Sequence, residues 1–175
     1  QPRFSGESPA PRDGCEAAWT YYPPSRRHLL FSGWNGAEPF QDLWAWDPER
    51  GWSSIPKLSQ AWPEARLAHA LAYDPRLGCL VLFGGSLNAF SGTRLDDLWE
   101  WEPKRGWIQR SPVPTWPGAR GWHRLVQDPL QQRLLLVAQR KPSDQPPLRR
   151  TEAQRQPARR HRRDGHRFFD RLLVL

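Results

Sequence analysis

Residues 42–52 read Asp-Leu-Trp-Ala-Trp-Asp-Pro-Glu-Arg-Gly-Trp, and residues 97–107 read Asp-Leu-Trp-Glu-Trp-Glu-Pro-Lys-Arg-Gly-Trp. Eight of these eleven positions are identical. In each copy a short run rich in leucine and tryptophan precedes an acidic residue, a proline and a glycine. This is the composition of a strand, a tight turn and the start of a second strand. The two copies therefore predict an internal repeat built from β-hairpins.

The repeat extends upstream of these stretches and occurs a third time. A Pro-x-x-Arg segment opens each unit, at 54-residue steps: 9–12, 63–66 and 117–120. The third residue after each Arg marks a further shared position: Cys15, His69 and His123. An apolar run then follows in every unit: residues 28–31, 80–83 and 134–137. The second half of the unit occurs only twice, and the third copy stops after Val137.

The middle unit predicts four short strands separated by turns. The predicted strands cover residues 69–73, 79–83 and 97–101 and a fourth that begins at 107–109. The double glycine 84–85 is expected to end the second strand, and a polar loop over 86–96 is expected to lead to the third. The second strand is apolar throughout, as in a strand covered on both faces. No stretch between turns has the period of a helix, so the sequence predicts an all-β fold.

The order of these features resembles the kelch family. The marks of that family are a four-residue apolar run, a double glycine and two aromatic residues at fixed spacing, here matched by Gly84-Gly85, Trp101 and Trp107. The resemblance covers about residue 9 to 137. It implies an incomplete β-propeller of four-stranded antiparallel blades, with units starting near 9, 63 and 117, in a domain spanning 1–139.

Some positions depart from the kelch pattern. The double glycine is Ser32-Gly33 in the first unit and Ala138-Gln139 in the third, and Cys15 replaces the histidine. Two and a half blades are fewer than the 4–8 of typical propellers. We therefore expect the native object to contain more blades. The start at Gln1 and the lack of Met likewise suggest a processed chain or a fragment.

The basic charge of the chain is concentrated in residues 140–175. This segment has 11 Lys+Arg and 4 Asp+Glu, against 15 and 14 in residues 1–139, within a net charge of +8. Three interpretations stay open for this tail: a disordered segment, the product of a frame change after Val137, or a basic arm that binds nucleic acid. Its apolar end, Phe168-Phe169 and 172–175, either packs as a strand or belongs to no fold.

No set of residues predicts catalysis. His69 and His123 recur once per unit, as do Arg12, Arg66 and Arg120 and, in two units, Asp42 and Asp97, which is typical of structural positions. No phosphate loop or zinc spacing is present. We therefore expect no enzyme activity, no metal and no cofactor. Cys15 and Cys79 are interpreted as two separate buried thiols, with a disulfide as the alternative.

Loops on a rigid β-scaffold predict binding instead. The candidate binding residues lie in the variable loops and in the connections between units: Trp34, Asn35, Asn88, Phe90, Trp62 and Trp116. Trp62 and Trp116 recur with the 54-residue step, which favours packing for these two.

The expected partner is a protein. The alternatives are an enzyme of the kelch-like type whose active-site blades are missing, and nucleic-acid binding through the Arg-rich tail. A membrane is not expected, because the longest apolar stretches have five residues and a transmembrane helix needs about 20.

Overall fold

The computed structural model describes residues 6–13, 17–89, 92–112 and 117–138, and the main chain of 171–174. It contains eleven β-strands: β1 (Ala18–Tyr22), β2 (Arg27–Phe31), β3 (Leu43–Asp47), β4 (Gly51–Ser54), β5 (Ala70–Asp74), β6 (Cys79–Ser86), β7 (Arg94–Glu102), β8 (Gly106–Arg110), β9 (Arg124–Asp128), β10 (Arg133–Ala138) and β11 (Arg171–Val174). Within these residues, helical backbone is limited to the 3₁₀ turn Pro23–Ser25. The all-β prediction is confirmed.

The strands form three antiparallel sheets in chain order. Sheet 1 has the order β1-β2-β3-β4, and sheet 2 has the order β5-β6-β7-β8. The two nearly identical stretches supply the third and fourth strands of these sheets, as the repeat predicted. Sheet 3 has the order β11-β10-β9. The predicted four-stranded antiparallel units are therefore confirmed for the first two repeats.

The end of the chain pairs with the third unit. Val137 pairs with Leu172, at the register position where Phe83 pairs with Leu98 in sheet 2. Strand β11 thus lies beside β10 as β7 lies beside β6. Of the two alternatives for residues 172–175, the structure places 172–174 in a strand. The rest of the tail, 140–170 and 175, lies outside the described residues.

The sheets stack face to face in chain order, so that sheet 2 lies between sheet 1 and sheet 3. We call aliphatic face 1 the side of sheet 1 that carries Ala18, Tyr22, Leu29, Phe31, Leu43 and Ala45. It packs in one core cluster with one side of sheet 2, which carries Leu71, Leu80, Leu82, Trp99, Trp101 and Trp107. The other side of sheet 2 packs in the same way against Leu134, Leu136 and Ala138 of sheet 3. Every residue of β6 is buried, which explains its unbroken apolar sequence.

The sequence predicted that the double glycine ends the second strand, and this prediction is wrong. Strand β6 continues to Ser86, with a bulge between Phe83 and Gly85 that restores pairing with β7. Gly84 and Gly85 have φ angles of 59° and 110°, which favour glycine. A Cβ on Gly84 would lie 2.7 Å from the Arg120 carbonyl oxygen. The absence of a side chain on Gly84 therefore lets the backbone of the third unit approach the second unit closely.

In the first unit, Ser32 adopts the same left-handed backbone conformation that Gly84 has in the second unit. Its φ of 56° matches that of Gly84. Its hydroxyl accepts a hydrogen bond from the Arg66 N–H at 3.0 Å and lies within bonding distance of the Phe40 and Arg66 carbonyl oxygens. These bonds explain how the first unit tolerates the departure from Gly-Gly.

Candidate binding surface

The topology separates two ends of each sheet. Short turns join the first strand to the second and the third to the fourth at one end, which we call the turn end. The loops that join the second strand to the third leave from the other, the loop end. The connections from one sheet to the next also begin and finish there. Loop ends of β-scaffolds are a common place for binding residues, because loops vary while the strands hold them.

An ion-pair network holds the loop end of sheet 1. The two terminal nitrogens of Arg12 lie 2.7 and 2.8 Å from the two carboxylate oxygens of Asp42. The Trp44 indole N–H donates to the same carboxylate at 2.7 Å. Arg12 also donates to the Ser32 carbonyl oxygen at 2.9 Å. A bidentate pair of this kind fixes orientation as well as charge.

Sheet 2 repeats this network residue for residue. Arg66 lies 2.6 and 2.8 Å from the oxygens of Asp97, and the Trp99 indole N–H donates to that carboxylate at 2.6 Å. Arg66 also donates to the Gly84 carbonyl oxygen at 3.0 Å. These contacts are what the structural interpretation of the four residues leads one to expect. The carboxylates of Asp42 and Asp97 thus accept from guanidinium and indole groups.

Two candidate residues of the first loop line a shared cleft. The cleft has a volume of about 470 Å³ and is bordered by Arg12, Asp13, Trp34 and Asn35. Trp34 is half-buried and forms isolated bridges to Asp13 and Pro39. The Asn35 side-chain oxygen accepts bonds from the N–H groups of residues 37 and 38, both at 2.8 Å. The loop is therefore held in one shape by its own hydrogen bonds.

Asn88 and Trp62 do not line this cleft. Asn88 is half-buried in the second loop, where its carbonyl oxygen accepts a bond from the Ser86 hydroxyl at 2.8 Å. Trp62 packs edge-on against Trp107 with ring centroids 6.3 Å apart. This agrees with the packing role that its recurrence favoured. Phe90 and Trp116 lie outside the described residues.

The sequence argument missed a cation–π pair at the loop end. The Arg94 guanidinium lies 4.1 Å from the centre of the Trp122 ring, and Trp122 is 50% exposed. One terminal nitrogen of Arg94 is buried with no hydrogen-bond partner among the described residues. Trp122 stands where the preceding unit has Ala68, and both have φ near 55°.

The recurring histidines are structural. His123 donates from Nε2 to the Phe83 carbonyl oxygen at 3.0 Å, and its ring packs edge-on against Phe83. His69 packs in the same way against Phe31. Burial lowers the pKa of His69 to about 3 and that of His123 to about 4. Both rings are therefore neutral at neutral pH and bridge successive sheets.

These pKa values predict a loss of stability in mild acid. An unfolded histidine titrates near ~6.5, so between that pH and about 4 the unfolded chain binds a proton that folded His123 does not. The free energy of unfolding then falls as the pH falls through this window. His123→Gln should reduce that slope by up to ~1.4 kcal/mol per pH unit, measured by urea unfolding between pH 7.5 and 5. Equal slopes below pH 6 would contradict the assignment, and equal slopes above pH 7 are the internal control.

Cys79 is a free, buried thiol. Burial raises its pKa to about 12, with further contributions from Glu100 and Asp74. It is therefore protonated and unreactive at neutral pH. The separate-thiol interpretation is confirmed for Cys79, and Cys15 lies outside the described residues.

Metal-binding clusters and membrane-spanning helices are both absent from the described part of the chain. It holds no group of three or more His, Cys, Asp or Glu side chains placed to bind a metal ion. Among these residues, no helical segment has the length and hydrophobicity that crossing a bilayer requires.

Neither the protein-family models nor the curated proteins with which the sequence was compared match it.

Proposed function

We propose that this protein is a non-catalytic binding scaffold whose stacked sheets are blades of a kelch-type propeller and whose loop end binds a protein partner. The observation that carries the proposal is that the loop end contains two kinds of residue: ion-paired residues that hold the loops, and exposed residues that are available for contact. Arg12 and Arg66 are each neutralised by a bidentate aspartate, so they hold the loops. Exposed groups beside them are left for contact.

The Arg94–Trp122 pair indicates what kind of partner surface fits. A half-exposed tryptophan next to a cation combines a large flat apolar area with one charge, and both residue types dominate the energetics of protein interfaces. The positive charge of Arg94 beside Trp122 favours a carboxylate on the partner. The Trp34 cleft offers a second contact in the loop of sheet 1. An acidic protein surface with an exposed apolar residue suits this arrangement.

The test is capture of partners from the native cell extract by the immobilised full chain. We expect a protein that the wild type retains and that Trp122→Ala, Arg94→Ala and Trp34→Ala each retain at least about tenfold less. Leu77→Ala and Lys104→Ala are matched controls, because both residues are exposed at the turn end. Each variant is first checked for wild-type thermal unfolding. Equal retention by all variants, or loss with the turn-end controls, would reject the proposal.

A further inference from the structure

Sheet 1 has a face that no other sheet covers within the described part of the chain. We call it aromatic face 1; it is the side opposite aliphatic face 1. Its side chains match, position by position, those of the covered side of sheet 2: Trp19 with Leu71, Tyr21 with Tyr73, His28 with Leu80, Trp46 with Trp101 and Trp52 with Trp107. Trp19 and Tyr21 are each 45% exposed, whereas Leu71 is 7% exposed. A large exposed apolar area of this kind marks an interaction surface.

The covered side of sheet 2 shows what such a surface binds. Tyr22, from the end of β1, is only 2% exposed. Its ring lies edge-on to Tyr73 and Trp101, with centroids 5.5 and 5.6 Å away. Its hydroxyl donates to the Gly78 carbonyl oxygen at 3.3 Å. A tyrosine of one sheet therefore fills an aromatic pocket of the next, near the turn end.

The same pocket exists on sheet 1, and among the described residues no side chain from another sheet fills it. A cleft of about 500 Å³ lies between Tyr21 and Trp46 and is bordered by the turn that contains Arg26. By register, Arg26 occupies the position of Gly78, and the two have similar φ angles of 54° and 69°. The ring walls and the turn carbonyl that hold Tyr22 in sheet 2 thus have direct counterparts here.

We propose that aromatic face 1 docks a further four-stranded sheet of this repeat whose first strand ends in a tyrosine. The ring of that tyrosine enters the Tyr21–Trp46 cleft and its hydroxyl donates to the Arg26 carbonyl oxygen. The interface between sheets 1 and 2 carries the proposal. There, the side of sheet 2 that has the same residue pattern as aromatic face 1 is covered by a four-stranded sheet whose first strand ends in Tyr22. The proposal does not depend on binding at the loop end.

A second copy of this chain is a poorer occupant. Its sheet 3 has Asp128 at the position of Tyr22, and the Asp128 side chain accepts bonds from the N–H groups of Leu130 and Gln131 within its own turn. Its Tyr22 is already buried against sheet 2. Neither group is available to fill the cleft of another molecule.

The cleft is tested first with p-cresol, which has the ring and hydroxyl of a tyrosine side chain. In NMR spectra of the full chain, we expect the Trp46 indole N–H signal to shift in a saturable way, while that of Trp101 stays unchanged because Tyr22 occupies its pocket. Toluene, which lacks the hydroxyl, should bind at least threefold more weakly. No saturable shift at Trp46, or equal shifts at Trp46 and Trp101, would overturn the proposal.

Tyr22→Ala supplies a matched control. If it stays folded, it empties the pocket of sheet 2, and p-cresol should then shift the Trp101 signal as well and raise the melting temperature. A folded Tyr22→Ala in which only Trp46 responds would show that the two pockets differ and would contradict the argument. If this variant does not fold, the wild-type titration still decides the question.

The nature of the occupant is tested with a longer variant of the full chain. In this variant a second copy of residues 9–62, which form sheet 1, is inserted directly before residue 9. The added sheet then presents its own copy of Tyr22 to aromatic face 1. Of the two Trp46 signals, only the one in the added sheet should respond to p-cresol. Tyr22→Ala in the added copy should restore the response of the other. A response at both signals without that substitution would overturn the proposal, as would a dimer of the original chain in sedimentation that removes the Trp46 response.

Discussion

Replacing Asp97 by alanine should lower the free energy of unfolding by about 3–5 kcal/mol, the usual cost of removing one partner of a buried ion pair. The Arg66 side chain is 1% exposed and makes a bidentate pair with Asp97. Without the carboxylate, a buried guanidinium keeps its charge and loses its counter-ion. The indole N–H of Trp99 loses its acceptor as well. Urea unfolding of both proteins at pH 7 measures the difference.

Sheet 1 provides a graded control for this effect. The equivalent Asp42 is 33% exposed and its partner Arg12 is 6% exposed, so water can replace part of the lost interaction. Asp42→Ala should therefore cost clearly less than Asp97→Ala. The double variant Arg66→Met/Asp97→Leu should recover much of the loss, because it removes both charges together. A double variant less stable than Asp97→Ala would refute the buried-charge explanation.

The sequence predicted the architecture well because its repeat is local and regular. Strands β3 and β7 come from the duplicated stretches, and β6 starts at the predicted Cys79. The error at the double glycine has a physical cause. Glycine usually interrupts a strand, but here its positive φ forms a bulge that keeps the strand paired. Local propensity does not specify whether a glycine ends a strand or bends it.

The candidate site was less predictable. Trp34 and Asn35 were found because variable loops between matching flanks are visible in the sequence. The Arg94–Trp122 pair was not, because it joins a loop of one unit to the connection before the next. Contacts between units depend on how the sheets stack, and the spacing within a unit does not encode them. The Tyr22 pocket was missed for the same reason, since its walls belong to the following sheet.

The second large prediction follows from the stacking of the sheets: replacing two equivalent tryptophans should lower the free energy of unfolding by different amounts. Trp107 is 1% exposed and its ring centroid lies 5.2 Å from that of Phe31 of sheet 1. Trp107→Ala should cost about 3–5 kcal/mol, since it leaves a cavity between two sheets. Trp52 holds the same register position in sheet 1 but is only half-buried, with Trp19 as its edge-on neighbour.

Trp52→Ala should therefore cost less, about 1–2 kcal/mol in the same urea assay, because part of the Trp52 apolar surface stays in contact with water in the folded protein. The identical substitution has different costs at the two sites because one face is covered and the other is open. In the chain that carries an added copy of residues 9–62, the original Trp52 becomes covered, and its replacement should then cost as much as that of Trp107. Equal costs for the two tryptophans in the unextended chain would mean that aromatic face 1 is already covered, and the proposed docking face would be wrong.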